Sequence, residues 1–479
     1  MDEHSTAAAA PPAAPPLVAA LLGLLAAHRG AFRRARPYER CVALVFASLF
    51  AFARHTVTQL LVALGATDAD WSAWYRLFSV PRCDYGALTG RFVRETLPHL
   101  PADGPYVAVV DGVQLPRSST RMPGTGWLKA PRTPRWRPGI HRAQRYLHLA
   151  ALLPRTADGY SRALPLRWEP AFPPKAAPGR TPPRKEWQAA LAALTWLRAR
   201  LDAAGRAGQR LLVLGDGAFA TAALWAALPP NVALLARCAK NRALCALPAP
   251  PPAARRGARR KYGDRARTPA AWLAERGGWR RARVAGRGRA VPLRYRVEGP
   301  FLVKRAAARP LFLLVVAGTR QRQRRLRRDP AFSLVSAVPD GDGWALPLPV
   351  AELLGWAWQR WEVEVCHREL QAGFGLGEPP CWNPIATETV VGWQAWAYAV
   401  LVLAGVRAWG LTGQPLGPPG AWWRGAARWS LGTLWRGYRQ ELWGTSEFRA
   451  LWAGTGDNWA AKATWRGGLA NAVAGSLRA

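Results

Sequence analysis

The chain has 479 residues, and 67 basic side chains against 29 acidic ones leave a net charge of +38. At roughly 150 residues per domain the length predicts about two to four domains, and a half-hydrophobic composition excludes wholesale disorder. The best apolar runs, Leu17–Ala27, Cys41–Ala53 and Ala395–Val406, fall short of the roughly 20 residues of a membrane span, and a start of Met-Asp-Glu-His lacks the basic region of a signal peptide.

Residues 1–16 form an Ala/Pro-rich tail that reads as disordered. Residues 17–100 read as helical. Within them Thr56–Leu64, the turn Gly65-Ala66-Thr67 and Asp68–Leu77 give a helix-turn-helix pattern, with Asp68 as N-cap. The pattern suits a DNA-binding module, and equally a pair of packed helices.

From residue 101 the periodicity changes. Strands are expected at Tyr106–Val110, Arg145–Leu153 and Arg162–Trp168, a helix at Lys185–Ala204, and a strand at Arg210–Leu214. A helix at Ala220–Leu228 and a strand at Val232–Arg237 complete the order of an α/β domain with a mixed sheet, whose first part spans 101–245. Residues 246–345 break that pattern. Ala253–Arg296 holds 15 Arg or Lys against two acids, β-like runs follow at Val291–Val297 and Leu311–Ala317, and Arg320–Arg328 adds a basic cluster. This reads as a basic, β-rich insertion with a surface laid against phosphates, and Arg255, Arg256, Arg259, Arg260, Lys261, Arg324 and Arg325 are its candidate contacts. Helical periodicity returns over Val350–Gly373 and Thr387–Trp409, so 346–411 completes the core. Residues 412–479 form a C-terminal region suited to dimerisation.

Charge and cysteines bound the setting. The 60 Arg against 7 Lys fit a GC-rich genome, but codon bias does not explain the shortage of acids. The excess of positive charge points to nucleic acid. Six cysteines without a CxxC pair make neither a disulfide framework nor a zinc site, which fits a reducing cytosol.

With so few acids, their placement is informative. Asp111 and Asp216 each end an apolar strand and are followed by Gly. Such carboxylates are costly unless something positive compensates them, and a divalent metal does so. The glycines allow a tight turn and a close approach of metal or phosphate. One such Asp reads as an ordinary Asx turn, whereas two in a basic α/β chain favour metal binding. A third carboxylate comes from the helix around residues 357–371, where Glu362, Glu364 and Glu369 are candidates, with Glu378 beyond. Arg360, Glu364, His367 or Arg368, and Gln371 share one helical face, which gives Glu364 a small edge.

Trp361-Glu362-Val363-Glu364, then His367-Arg368 and Gly373-Phe374-Gly375-Leu376, resembles the catalytic helix of DDE transposases of bacterial insertion sequences, in the group with a β-rich insertion before the catalytic Glu. That group's signature is Tyr, two residues, Arg, three residues, Glu, six residues, Lys. Arg360 and Glu364 match it, while Ala357 and Gln371 stand at the Tyr and Lys positions, leaving His367 or Arg368 as substitutes for the phosphate contact. The resemblance selects Glu364. It implies an RNase H-like core over about 105–410, with an N-terminal helical region and an insertion that holds element-end DNA. It also implies two Mg²⁺ (or Mn²⁺) ions on Asp111, Asp216 and Glu364, which activate the attacking oxygen and stabilise the leaving one. By the same resemblance, water nicks the element end, and the freed 3′-hydroxyl then attacks either the opposite strand or the target DNA.

The partners expected on this basis are double-stranded DNA, as terminal inverted repeats and target, and a second copy of the chain in a homodimeric synapse. The setting is a bacterial cytoplasm at the nucleoid, without a membrane. Arg360 would neutralise phosphate charge. Arg117, in the segment from Pro116-Arg117-Ser118-Ser119-Thr120 to Trp136-Arg137-Pro138-Gly139, would grip the DNA backbone, while His141 and His148 read as structural. Competing readings are a metal-dependent nuclease or resolvase on the same fold, a domesticated transposase that only binds DNA, and a basic RNA-binding protein.

Overall fold

The computed structural model describes residues 16–443, apart from 52, 132, 134–135, 177–180, 250–259, 307–308, 321–326 and 413–427. Five helices come first: α1 (Pro16–Ala27), α2 (Ala35–Phe50), α3 (Val57–Ala63), α4 (Ser72–Ser79) and α5 (Tyr85–Thr96). Thr56 caps α3 by accepting the Gln59 N–H, as a helix-start Thr should. The second helix of the helix-turn-helix pattern starts later than the sequence suggested. Asp68 does not cap it. Asp70 instead accepts the Ser72 N–H at 2.9 Å, and α4 begins there.

The sheet opens with β1 (Tyr106–Pro116), β2 (Thr125–Lys129), β3 (Ile140–Leu152) and β4 (Ala163–Pro170). Then come α6 (Glu186–Ala203), β5 (Leu211–Gly215), α7 (Ala222–Ala227) and β6 (Val232–Arg237). β3 runs antiparallel to both β1 and β4, and β1, β5 and β6 run parallel. The spatial order β4-β3-β1-β5-β6 is the mixed α/β sheet expected of an RNase H-like core. β5, Leu-Leu-Val-Leu-Gly, is buried throughout, as a central parallel strand covered on both faces must be. β1 is longer than its apolar run. It continues past Val110 to Pro116, so Asp111 and Gly112 lie inside the strand and not in a turn.

The insertion comprises β7 (Cys245–Ala246), α8 (Pro269–Ala274), β8 (Arg280–Gly286), β9 (Arg289–Leu302), β10 (Leu311–Val316), β11 (Thr319–Arg320), β12 (Arg327–Arg328), β13 (Ala331–Ser336), β14 (Val338–Asp340) and β15 (Gly343–Ala345). It does not stand apart as its own sheet. β13 pairs antiparallel with β6, at Val335↔Leu235, so the insertion extends the core into a sheet of 11 strands. A bare β6 edge would expose unpaired backbone groups, and β13 covers it.

α9 (Val350–Gln359) and α10 (Glu362–Phe374) follow, broken at Arg360–Trp361 where one continuous helical stretch was expected. α11 (Pro384–Trp409) is long and apolar enough to cross a membrane by length and composition, but 89% of its most apolar stretch is buried inside the protein. It is a core helix. Trp393, Trp396, Tyr398 and Leu401 on α11 join Leu21 and Leu24 of α1, Phe92 of α5 and the sheet in one continuous hydrophobic core. α12 (Leu431–Trp443) closes the described chain, with Leu434 and Tyr438 buried in the same core. The tail 1–15, residues 413–427 and residues 444–479 lie outside the described residues.

Candidate active site

β1 and β5 are parallel, and their register sets the site. Val109 pairs with Leu214, β5 ends at Gly215, and Asp216 turns off into a single 3₁₀ turn. β1 runs on past the end of that pairing, so Asp111 and Gly112 have no partner in β5. Asp216 directly follows β5. One of its oxygens accepts the Ala218 N–H at 2.9 Å, the Asx-turn arrangement that a strand-end Asp favours.

Asp111 is mostly buried, and its Oδ1 accepts the Gly112 N–H at 3.0 Å. Burial pushes its carboxyl up to about 7, and the Asp216 carboxylate adds to the rise. Arg360 and the Gly112 N–H oppose it, and Glu364 contributes a smaller push upward. Asp216 and Glu364 therefore both lie within electrostatic reach of Asp111. They do not converge into a finished cage: among the described residues no group of three or more His, Cys, Asp or Glu encloses a metal ion.

The other acids of the 357–378 segment are engaged elsewhere. Glu362 is buried and accepts from Arg428 at 2.8 Å. Glu369 accepts from Tyr398 at 2.6 Å, and Glu378 accepts the His55 N–H at 2.7 Å. Glu364 stays half-buried, where Arg360 donates to it at 2.8 Å across one helical turn. Arg360 is thus held against Glu364 and lies close enough to lower the pKa of Asp111.

Across β1–β3, Asp111 stands opposite His148, and across β3–β4, His148 stands opposite Trp168. Directly paired residues share a face, so the three form a row. His148 stacks on Trp168 with ring centroids 4.6 Å apart. His367 comes down from α10 onto the row, its Nε2 2.7 Å from His148 Nδ1 and its Nδ1 3.7 Å from Asp111. Burial lowers His367 to about 4 and lowers His148 well below its ordinary value. His367 is therefore neutral near pH 7, and its approach to Asp111 is not an ion pair. It is turned inward into this stack, away from the phosphate contact expected of it, whereas Arg368 is exposed on the same helix.

Arg117 corrects another expectation. It is buried, and it donates to Gln144 at 3.0 Å, to the Pro379 carbonyl at 3.1 Å and to the Gly377 carbonyl. It ties the end of β1 to the loop after α10, with its guanidinium engaged inside the protein and not on the surface where a DNA backbone contact was expected. His148 is fully buried, and His141 bonds Gln114 at 2.6 Å. Arg260 and Lys261 are exposed, and Arg255, Arg256, Arg259, Arg324 and Arg325 lie outside the described residues.

Two features escaped the sequence. The β8–β9 hairpin bends over the start of α10. Its tip residue Arg287 adopts a left-handed φ of 51° and lies 5.8 Å from the exposed Trp361 ring. Glu186, on the first turn of α6, lies against Gly112. A Cβ at 112 would sit 1.8 Å from its Oε1, so the glycine there admits a carboxylate of the chain itself. Gly217, after Asp216, is uncrowded. A shortage of acids was the only signal for Glu186, because an acid in a helix's first turn is ordinary grammar.

Residues 28–300 match the family model of the DDE superfamily endonucleases, a span that includes Asp111 and Asp216 and stops short of Glu364. No curated protein sequence matches the chain. Among solved structures, the chain is similar to a cryo-EM structure of a piggyBac transposase synaptic complex with hairpin DNA. The identity is 9% and the TM-score 0.40, over 95% of this chain and 82% of that one. With more than half of its length matched by the family model, the chain belongs to the DDE superfamily endonucleases.

Proposed function

We propose that the protein is a DNA transposase, which cleaves the ends of a mobile element and joins the freed 3′-hydroxyl to target DNA. The observation that carries the reading is Asp111, a buried carboxyl pushed up to about 7 with Asp216 and Glu364 both contributing. Clustered negative charge of this kind is what a hard divalent cation neutralises, and oxygen donors suit Mg²⁺ or Mn²⁺. Asp111, Asp216 and Glu364 would hold two such ions, which when bound supply Lewis-acid stabilisation of the attacking and leaving oxygens.

The chain's own residues do the positioning. β1 carries Asp111, β5 leads into Asp216, and Arg360 bonds Glu364. The His148–His367 pair backs Asp111. A net charge of +38 and the exposed Arg260, Lys261, Arg287 and Arg368 suit a DNA backbone, and two copies of the chain would pair two element ends.

The test is a strand-transfer assay. A labelled duplex carrying the element's terminal inverted repeat is incubated with Mg²⁺ or Mn²⁺ and a second duplex. Joined product supports the transposase. Nicking without joining supports a nuclease on the same fold, and repeat-specific binding with no nicking supports a relic that only binds DNA.

A further inference from the structure

The β2–β3 hairpin has no role in the three-carboxylate scheme, yet one of its faces is unusual. β1 pairs with β3 as far as Pro116, opposite Ala143. Beyond that point the pairs Trp127–Arg142 and Lys129–Ile140 continue as a two-stranded ribbon. Residues directly opposite, or two apart on one strand, share a face, so these four side chains stand together. Trp127 is 67% exposed and Ile140 70%, and Lys129 is exposed beside them. Arg142 donates to the Thr120 carbonyl at 3.2 Å and lies 5.9 Å from the centre of the Trp127 ring. The other face is covered, because Pro173 comes within 3.3 Å of where a Cβ at Gly126 would stand.

From this geometry we infer that the β2–β3 ribbon is a DNA contact in its own right, whose exposed face lies in a groove of the duplex at a distance from the carboxylates. The inference rests on the reading of the preceding subsection, that the chain acts on DNA. Large apolar side chains exposed together mark a surface that something covers. Charge selects what covers it. Residues 112–157 hold nine Arg or Lys and no acid, which matches a polyanion, and a second copy of a chain at +38 is repelled. Shape agrees, since a major groove about 12 Å wide admits a two-stranded ribbon. There Lys129 would meet a phosphate, while Trp127 and Ile140 lie against base edges and thymine methyl groups. Ile140 is eight residues along β3 from His148, the partner of Asp111, a separation of about 27 Å at roughly 3.4 Å per residue. A duplex that follows the ribbon, with a rise of about 3.4 Å, meets this face about eight base pairs from the bond being cut.

The decisive experiment is binding of the full chain to a labelled duplex carrying the terminal inverted repeat, over a range of salt, with a hydroxyl-radical footprint. The wild type is set beside Ile140→Glu, Lys129→Ala and the double variant Trp127→Ala with Ile140→Ala. The three positions are exposed, so melting temperatures should stay at the wild-type level, and Ile140→Glu, which removes no packed ring, decides the matter if the double variant melts lower. The double variant should bind at least about tenfold more weakly with an unchanged salt slope, because the contacts it loses are apolar. Ile140→Glu, which sets a carboxylate among phosphates, should weaken binding at least as much, and Lys129→Ala should reduce the salt slope by about 1. The double variant's footprint should lose protection about eight base pairs from the nick and keep it at the nick itself. Wild-type affinity in both the double variant and Ile140→Glu overturns the proposal, as does protection lost only at the nick. Variants that bind the duplex normally but lose binding to a polyglutamate peptide would assign the face to an acidic protein and overturn it too. In those cases the wild type still binds DNA and the preceding reading stands, whereas a wild type that binds no duplex overturns both.

Discussion

Asp111 and His148 stand directly opposite one another in the β1–β3 ladder, and His367 from α10 lies 2.7 Å from the second and 3.7 Å from the first. The helix that carries Glu364 is thereby keyed to the strand that carries Asp111 through two neutral imidazoles, of which His148 stacks on Trp168. His148→Ala removes the middle of that stack. It should cost about 2–4 kcal/mol, the range for emptying a large buried site, seen as a lower midpoint in urea. Unchanged stability would mean that the stack does not join α10 to the sheet.

Asp111 makes stability depend on pH. Its folded value of about 7 lies above its ordinary value of 3.8, so between those limits the folded protein binds more protons than the unfolded chain. Stability from this group is full below pH 3.8 and is lost as pH rises towards 7 and beyond. In EDTA, raising the pH from 5 to 8 should therefore destabilise the wild type by roughly 2–4 kcal/mol more than Asp111→Asn. Parallel melting curves for the two proteins across that range would refute the assignment.

The segment just before the last described helix is bound to the site's own helix by a largely buried ion pair. Arg428 pairs with Glu362 at 2.8 Å, and Arg162 lies 3.6 Å from the Trp429 ring and 3.8 Å from Glu369. Removing one partner strands a buried charge, so Arg428→Ala should cost about 3–5 kcal/mol. Replacing both partners, Arg428→Met with Glu362→Leu, should recover most of that loss. A double variant no more stable than Arg428→Ala would contradict the pairing.

DNA binding should be governed by phosphate contacts. The double variant Arg260→Ala with Lys261→Ala should weaken duplex binding similarly for all sequences and reduce the slope of log affinity against log salt by about 1–2. An unaltered slope would place the DNA elsewhere.

Much of this was legible in the sequence, for identifiable reasons. β5 and β6 are short apolar runs whose burial on both faces leaves no alternation to misread, and α6 and α11 carry long apolar patterns. Asp111 and Asp216 announced themselves as scarce acids ending such runs. The pairing of β13 with β6 was invisible, because Ala331–Ser336 is a short run beside an arginine cluster and its partner lies about 100 residues away. The extension of β1 through Asp111-Gly112 was hidden because a polar residue followed by glycine is the usual sign of a turn. Arg117 read as a surface cation, since no sequence pattern reveals that carbonyls of Gly377 and Pro379 wait for it inside the protein. Glu362 and Glu364 differ by two positions on one helix, and only Arg428, 66 residues beyond Glu362, separates their roles in space.

Cleavage of a duplex carrying the terminal inverted repeat, in Mg²⁺ or Mn²⁺, by the wild type and by Asp216→Ala is the most direct test of the site. The account predicts nicking at the repeat end that disappears in EDTA and falls by roughly 1,000-fold or more in Asp216→Ala, with DNA binding retained. Cleavage by Asp216→Ala at the wild-type rate, or wild-type cleavage that persists in EDTA, would contradict it.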